Sequence, residues 1–257
     1  MDELEAVRQF HAAGASRTTM LMVYDFNARA LDALLPDGGR LLDLGVGSGR
    51  ALAYLARQRP DLHITGVDLA PNMLRTARDL ILSEGLDTRI ELVRSDITAL
   101  PELLNERSWD GISCVWTLHQ LPDFTILRAA LRQIAELRKR TGAAVWLLDF
   151  ARLRDPHTFE SIMDVLDPPI YPVLHRDALA SEAAAFTREE LGTELRSAGL
   201  TDLRDGYSRP IPWLQAFWAS RADGRPGRST GCRPANLPHR ARVGSAMLRR
   251  GFSAKPF

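Results

Sequence analysis

Five short, almost continuously apolar runs punctuate the first 150 residues: Arg40–Leu44, His63–Val67, Ile90–Val93, Gly111–Trp116 and Ala143–Asp149. Their lack of polar alternation is the signature of parallel strands covered on both faces. Between them run stretches with apolar residues at helical spacing: Arg50–Gln58, Pro71–Ser83 and Phe124–Arg138. In the last of these, Leu127, Ala130, Leu131, Ile134 and Leu137 share one face. Pro71 suits a first helical position, where its missing N–H costs nothing. Thr187-Arg-Glu-Glu190 is a capping box, opening a helix that Gly199 can close. Two further strands are predicted near Asp202–Tyr207 and Trp213–Ala219. The order predicts an α/β fold with a doubly wound, mostly parallel seven-stranded sheet.

Three segments fall outside this rhythm. Residues 1–38 precede the first strand and read as helical, with Met20, Leu21, Val23 and Tyr24 in one apolar cluster. Residues 151–186 form an insertion after the fifth strand, where Pro168, Pro169 and Pro172 predict an irregular middle. Insertions at the carboxyl edge of such a sheet flank the ligand crevice, so both segments are candidate lids over a core domain at 39–220. Residues 221–257 mix Gly, Pro, Ser and Arg without a sustained apolar period. They are expected to be mostly disordered, with a short helix near Val243 to Arg250.

Charge sharpens that division. The chain's net charge of +1 joins a body at 1–220 with 24 basic and 31 acidic side chains to a tail with nine basic side chains and only Asp223. The tail is thus a solvated appendage or a basic arm. Composition is ordinary for a folded globule, at 45% apolar and 25% charged residues. No apolar run approaches the roughly 20 residues that span a bilayer. The acidic start, Met-Asp-Glu-Leu-Glu, does not read as a secretory leader. Two cysteines, Cys114 and Cys232, exclude a disulfide framework and a four-cysteine zinc site, so a reducing cytoplasm is expected.

The chemistry is concentrated in Leu41-Leu-Asp-Leu-Gly-Val-Gly-Ser-Gly-Arg50, a glycine-rich loop between a strand and a helix. Gly45, Gly47 and Gly49 allow tight turning and close backbone approach to a ligand, beside the free N–H groups of a helix start. A dinucleotide fingerprint wants a third small residue at position 50, which is Arg50 here. A P-loop needs Gly-Lys-Ser/Thr, and no lysine occurs before Lys139. Asp43, ending the first strand, would repel a pyrophosphate and suits a ligand with an ammonium or sulfonium group.

The spacing Asp43-x-Gly45-x-Gly47-x-Gly49 resembles the first motif of class I S-adenosylmethionine-dependent methyltransferases. Gly66-Val-Asp-Leu-Ala-Pro-Asn-Met-Leu74 is similar to the second, Arg94-Ser-Asp-Ile97 to the third, and Trp109 through Leu-His-Gln-Leu-Pro-Asp123 to the fourth. Phe186-Thr-x-Glu-Glu-Leu, closing in Ala198-Gly-Leu200, resembles the family's late helix. The likeness covers roughly residues 36–219 and implies a Rossmann-like fold with S-adenosylmethionine as the methyl donor. It implies that Asp68, followed by Leu69, holds the donor's ribose. It further implies that Asp96 accepts from the adenine amino group and that Ile97 offers a backbone N–H. Asp96 also reads as a turn cap after Ser95. Val115 and Trp116 either line the donor's methionine arm or belong to the core.

His119 follows the fourth strand and Asp149 ends the fifth, the places where related small-molecule O- and N-methyltransferases often carry a histidine and an acid. His119 is the candidate general base, since imidazole titrates near neutrality, with Asp149 orienting it or binding substrate. The alternative for His119 is a bond to backbone in a family-typical turn. Tyr24, Arg152, Arg154, His157, Tyr171 and His175 are looser candidates for facing a substrate. No sequence pattern suggests a metal: the chain has Asp149-Phe150 where catechol-type relatives carry Asp-Asn. Asp167-Pro-Pro-Ile-Tyr171 is similar to the Asp-Pro-Pro-Tyr motif of adenine-N6 methyltransferases, but it lies after the wrong strand and offers isoleucine where a base would stack. The expectation is therefore methylation of a small-molecule O or N nucleophile, without nucleic acid or membrane. The alternatives are an RNA methyltransferase using the basic tail, a non-catalytic scaffold on the same fold, and an NAD oxidoreductase, which Arg50 weakens. Oligomeric state stays open.

Overall fold

Residues that point to opposite faces of a strand can both be apolar only if both faces are covered, and here they are. In a computed structural model, which describes residues 2–166, 172–224 and 236–254, the elements begin with α1 (Leu4–Ser16) and α2 (Thr18–Leu34). Then follow β1 (Arg40–Leu44), α3 (Arg50–Gln58), β2 (His63–Asp68), α4 (Pro71–Ser83), β3 (Ile90–Arg94) and α5 (Glu102–Glu106). The second half holds β4 (Gly111–Val115), a single 3-10 turn at Leu118–Gln120, α6 (Phe124–Thr141), β5 (Ala144–Phe150), α7 (Pro156–Leu166) and α8 (Pro172–Ala184). The described chain closes with α9 (Arg188–Ser197), β6 (Arg204–Tyr207), β7 (Leu214–Ala219) and α10 (His239–Gly251).

The seven strands form one sheet in the order β3-β2-β1-β4-β5-β7-β6, parallel except for β7, which runs antiparallel to both neighbours. On β5, Ala144, Trp146 and Leu148 enter the core shared with α2, α3, α4 and α10. Val145 and Leu147, on the other face, enter the core under α5, α6 and α9. The direction of winding reverses between β1 and β4, which leaves the ligand crevice of a doubly wound sheet at their carboxyl ends.

Local signals act as the sequence predicts in α9. Thr187 and Glu190 exchange both hydrogen bonds of the capping box, and Gly199 takes φ +95° just past the helix. Gly49 caps the start of α3 at φ +77°, and a Cβ there would lie 2.9 Å from the Ala77 Cβ, so glycine sets how closely α3 meets α4. The fourth strand stops one residue earlier than its apolar run, because Trp116 turns into left-handed backbone at φ +52°.

The expectation for the tail needs correcting over the described part. Residues 236–254 form α10 and its flanks, packed on α2 rather than solvated. Ala241, Ser245 and Leu248 are buried; the Ser245 hydroxyl donates to the Asp25 carboxylate, and Phe252 packs on Phe26 with ring centroids 4.9 Å apart. A Cβ on Gly244 would sit 2.6 Å from the Met22 sulfur, so the contact depends on small residues that carry no hydropathy signal. The disorder expected for 225–235 and 255–257 lies outside the described residues. So do Pro168 and Pro169, while α7 and α8 occupy the insertion on either side of 167–171.

Candidate active site

A cavity of 620 Å³ opens over the carboxyl ends of β1, β2, β4 and β5. Its floor on one side is the glycine loop. Gly45 lies at φ +79°, where a Cβ would fall 2.1 Å from the Thr117 hydroxyl, so only glycine lets the loop pass beneath β4's exit. The Gly47 N–H donates to Asp68 Oδ2 at 2.7 Å, and the Ala70 N–H donates to Asp68 Oδ1 at 2.9 Å. Asp68 thereby ties the first strand's loop to the second strand's end before any ligand is present.

Asp43 is treated differently. Its carboxylate accepts from the Ser113 hydroxyl at 2.5 Å across the β1–β4 pair, and no cation neighbours it among the described residues. Burial pushes its pKa up to about 7; the Ser113 hydrogen bond opposes this shift, and the nearby charge of Asp68 adds to it. Asp96 takes the turn-cap role: Oδ1 accepts from both the backbone and the hydroxyl of Thr98 at 2.8 Å.

On the β4–β5 side, His119 is buried yet lines the cavity. Its Nδ1 lies 2.5 Å from Asp149 Oδ1, and its backbone N–H donates to Asp149 Oδ2 at 3.1 Å. Asp149 also accepts from the Phe150 N–H at 2.7 Å. Three hydrogen bonds thus offset the burial of this acid, one of them to the imidazole ring, which also packs T-shaped on Phe150 with centroids 5.0 Å apart. The His119 ring and the His119 backbone N–H are thus both held by the Asp149 carboxylate, and no bond from the ring to backbone accompanies them among the described residues.

Most sequence-expected residues therefore converge. Asp43, Gly45, Gly47, Asp68, Leu69, Asp96, Ile97, Val115, Trp116 and His119 all line one cavity, as do Tyr24 and His175. Gly49 does not; it packs α3 on α4. Asp149 acts behind His119 rather than at the cavity wall. Arg152 is committed to Glu190 and the Ala185 carbonyl, His157 is solvated, and Arg154 is exposed outside the lining. Tyr171 and the Asp-Pro-Pro-Ile-Tyr stretch lie outside the described residues. Among the described residues no group of three His, Cys, Asp or Glu side chains is placed to hold a metal, and no helix is long and apolar enough to cross a membrane.

Several lining residues carry no motif. Phe10 of α1, Met20 and Val23 of α2, Phe159 and Met163 of α7, Asp177 of α8, and Ile211 and Trp213 before β7 all reach the cavity. Helical spacing marks Phe10, Met20, Val23, Phe159 and Met163 as apolar faces but not as cavity wall, and nothing local marks Asp177, Ile211 or Trp213. Arg50, noted in sequence only as a departure from a glycine fingerprint, reaches back from α3 to α1. Its Nε donates to the His11 carbonyl at 3.2 Å and its Nη2 meets His11 Nε2 at 2.8 Å. Asp2 caps the other end of α1's approach, accepting from the Asn72 N–H at 2.9 Å at the start of α4.

Comparison with known proteins agrees with this fold. The methyltransferase domain family matches residues 41–142, which run from the glycine loop through His119 to the end of α6. Over 181 residues the chain is 30% identical to a demethylmenaquinone methyltransferase of Roseiflexus castenholzii, covering 65% of this chain and 70% of that one. A ubiquinone biosynthesis O-methyltransferase of Xylella fastidiosa is 39% identical over 88 residues, 34% of this chain and 33% of that one. The fold matches that of an S-adenosylmethionine-dependent methyltransferase from Aquifex aeolicus with a TM-score of 0.52 at 18% identity, over 79% of this chain and 98% of that one. With the glycine loop, the strand-end acids and the doubly wound sheet in one crevice, the chain belongs to the class I S-adenosylmethionine-dependent methyltransferases.

Proposed function

We propose that this enzyme methylates an oxygen or nitrogen nucleophile of a small molecule, with His119 as general base. The observation that carries the reading is the His119–Asp149 pair, held at 2.5 Å in the same cavity as the donor loop. The residues fit the donor: Asp43 is a buried carboxyl with one hydroxyl partner and no cation among the described residues, a deficit that an ammonium or sulfonium would fill. Asp68, with each oxygen already given one backbone N–H, keeps lone pairs for two ribose hydroxyls. Asp96 and the Ile97 N–H are assigned to the adenine edge, and Leu69 and Val115 to apolar contact with the ribose and the methionine arm.

When bound, the donor supplies a methyl group on a positively charged sulfur, and the carbon–sulfur bond breaks with its electron pair left on that sulfur. The chain's part is to hold the nucleophile in line and take its proton. A carboxylate can only accept, so Asp149 keeps the proton of a neutral imidazole on Nδ1 and leaves the Nε2 lone pair to the cavity. Nε2 has no protein hydrogen bond among the described residues. The nucleophile's lone pair forms the new bond to carbon while its proton passes to Nε2. Helices α1, α2, α7 and α8, which contribute lining residues, act as lids that keep water out of this space. The buried free thiol of Cys114 suits a reducing cytoplasm.

The test is release of S-adenosylhomocysteine from S-adenosylmethionine with a small-molecule library and, separately, with total RNA. Turnover with a small molecule that falls steeply in His119→Ala, with donor affinity unchanged, supports the reading. Turnover with RNA alone, or undiminished turnover in His119→Ala, overturns it.

A further inference from the structure

The acceptor side of the cavity has its own chemistry. Five rings form a continuous belt along it. Tyr24 lies 6.3 Å from Trp116, which stacks on Phe150 at 6.1 Å and 27°. Phe150 meets Phe159 edge-on at 6.0 Å, and Phe159 meets Trp213 edge-on at 4.9 Å. All five line the cavity, and they come from α2, the β4 exit, the end of β5, α7 and the approach to β7. No single stretch of sequence carries them. Aromatic faces and edges offer geometric preference for another flat ring beyond simple area burial.

Beside this apolar wall α8 sets polar groups, His175, Asp177 and Ser181. Asp177, on α8, lines the cavity, and its carboxyl has no hydrogen-bond or ion-pair partner among the described residues. Its element, α8, packs against the Leu118–Gln120 turn that carries His119. A half-buried carboxyl without a partner is costly, and a ligand that brings an O–H or N–H removes that cost. The other acids of the cavity are already engaged: Asp2, Asp68 and Asp96 by backbone N–H groups, Asp43 by Ser113.

Building on the methyltransferase reading above, we propose that the acceptor is a flat aromatic ring bearing two polar hydrogens, one lost at His119 and the other held by Asp177. The ring lies against the Trp116–Phe150–Phe159–Trp213 belt, and the group held by Asp177 selects and orients it. Asp177 is a specificity-determining residue in this arrangement, not a base.

Calorimetric titration of naphthol, a naphthalenediol and the saturated decalinol into the protein, with and without S-adenosylhomocysteine, tests this. The expected result is that both aromatic probes bind, that decalinol does not, and that the diol binds about tenfold tighter than naphthol, the worth of one hydrogen bond to a carboxylate. In Asp177→Asn that preference shrinks while naphthol and S-adenosylhomocysteine affinities hold, which also shows that the variant is folded. A diol preference that persists in Asp177→Asn, or decalinol binding as well as naphthol, overturns the proposal. S-adenosylhomocysteine failing to bind overturns the donor reading instead, and the probe ranking on the free protein still decides the ring subsite.

Discussion

The two ends of the cavity are built on different principles. At the proposed donor end, all the assigned groups but Val115 of β4 come from β1, β2, β3 and the loops that follow them, within residues 43–97, and backbone N–H groups do much of the holding. At the acceptor end, the wall is assembled from five separate elements, and side-chain rings and one histidine–acid pair do the work. The contrast is sharpest in the acids. Asp149 receives three hydrogen bonds and serves as a fixed orienter. Asp43 receives one, from Ser113, and burial holds its pKa near 7. One acid is satisfied by the fold; the other, among the described residues, has no cation beside it, which is the place proposed for the donor's positive charge.

This division predicts separable defects. The largest belongs to the acceptor end: His119→Ala lowers turnover by about 10²–10⁴-fold, the usual worth of a general base, while S-adenosylhomocysteine affinity stays at the wild-type level. Turnover and donor binding falling together would erase the distinction between the ends. Next comes Asp68→Asn, which replaces an acceptor of two ribose hydroxyls and two backbone N–H groups. Donor affinity by calorimetry should fall about 100-fold, with binding of aromatic probes preserved.

A pH dependence sharpens the donor end further. Because the Asp43 pKa is raised to about 7, a proton competes with the donor's positive charge below that pH. S-adenosylmethionine affinity should therefore fall about tenfold per unit as pH drops below about 7, and Asp43→Asn should abolish the slope. The same shift acts on stability in the free protein. The neutral carboxyl is the form the fold prefers, so the contribution of Asp43 is fully present below its unfolded value of 3.8 and is lost as pH rises through about 7. A donor affinity flat between pH 5 and pH 8 (roughly two units below to one above) would remove Asp43 from the donor's cation site.

The smallest effect concerns the lid that joins the ends. Arg50→Met cuts both bonds from α3 to His11 on α1, a partly exposed contact worth under about 1 kcal/mol. Donor dissociation in stopped flow should quicken only about threefold, with turnover chemistry unchanged. No change in dissociation would mean that the apolar packing of α1 and the Asp2–Asn72 and Gln9–Val173 contacts hold it without Arg50.

What the sequence determined by itself was the sheet and the donor end. The continuous apolar runs specified strands buried twice, and Asp43, Gly45, Gly47 and Asp68 stand at spacings that a strand–loop–helix unit brings together locally, within a few residues of each turn. Local rules also found the capping box at Thr187, because its two bonds span three residues. The tertiary structure alone decided the acceptor end. Phe159 and Trp213 meet across more than fifty residues of chain, and in sequence each is merely an apolar residue on a helix or before a strand. Asp177 is one more surface-type acid until α8 folds over the Leu118–Gln120 turn. The tail misled for the same reason: α10 docks through Gly244, Ser245 and Phe252, and close approach between helices is a property of the pair. Periodicity reports which face of an element is apolar; only packing reports what that face will meet.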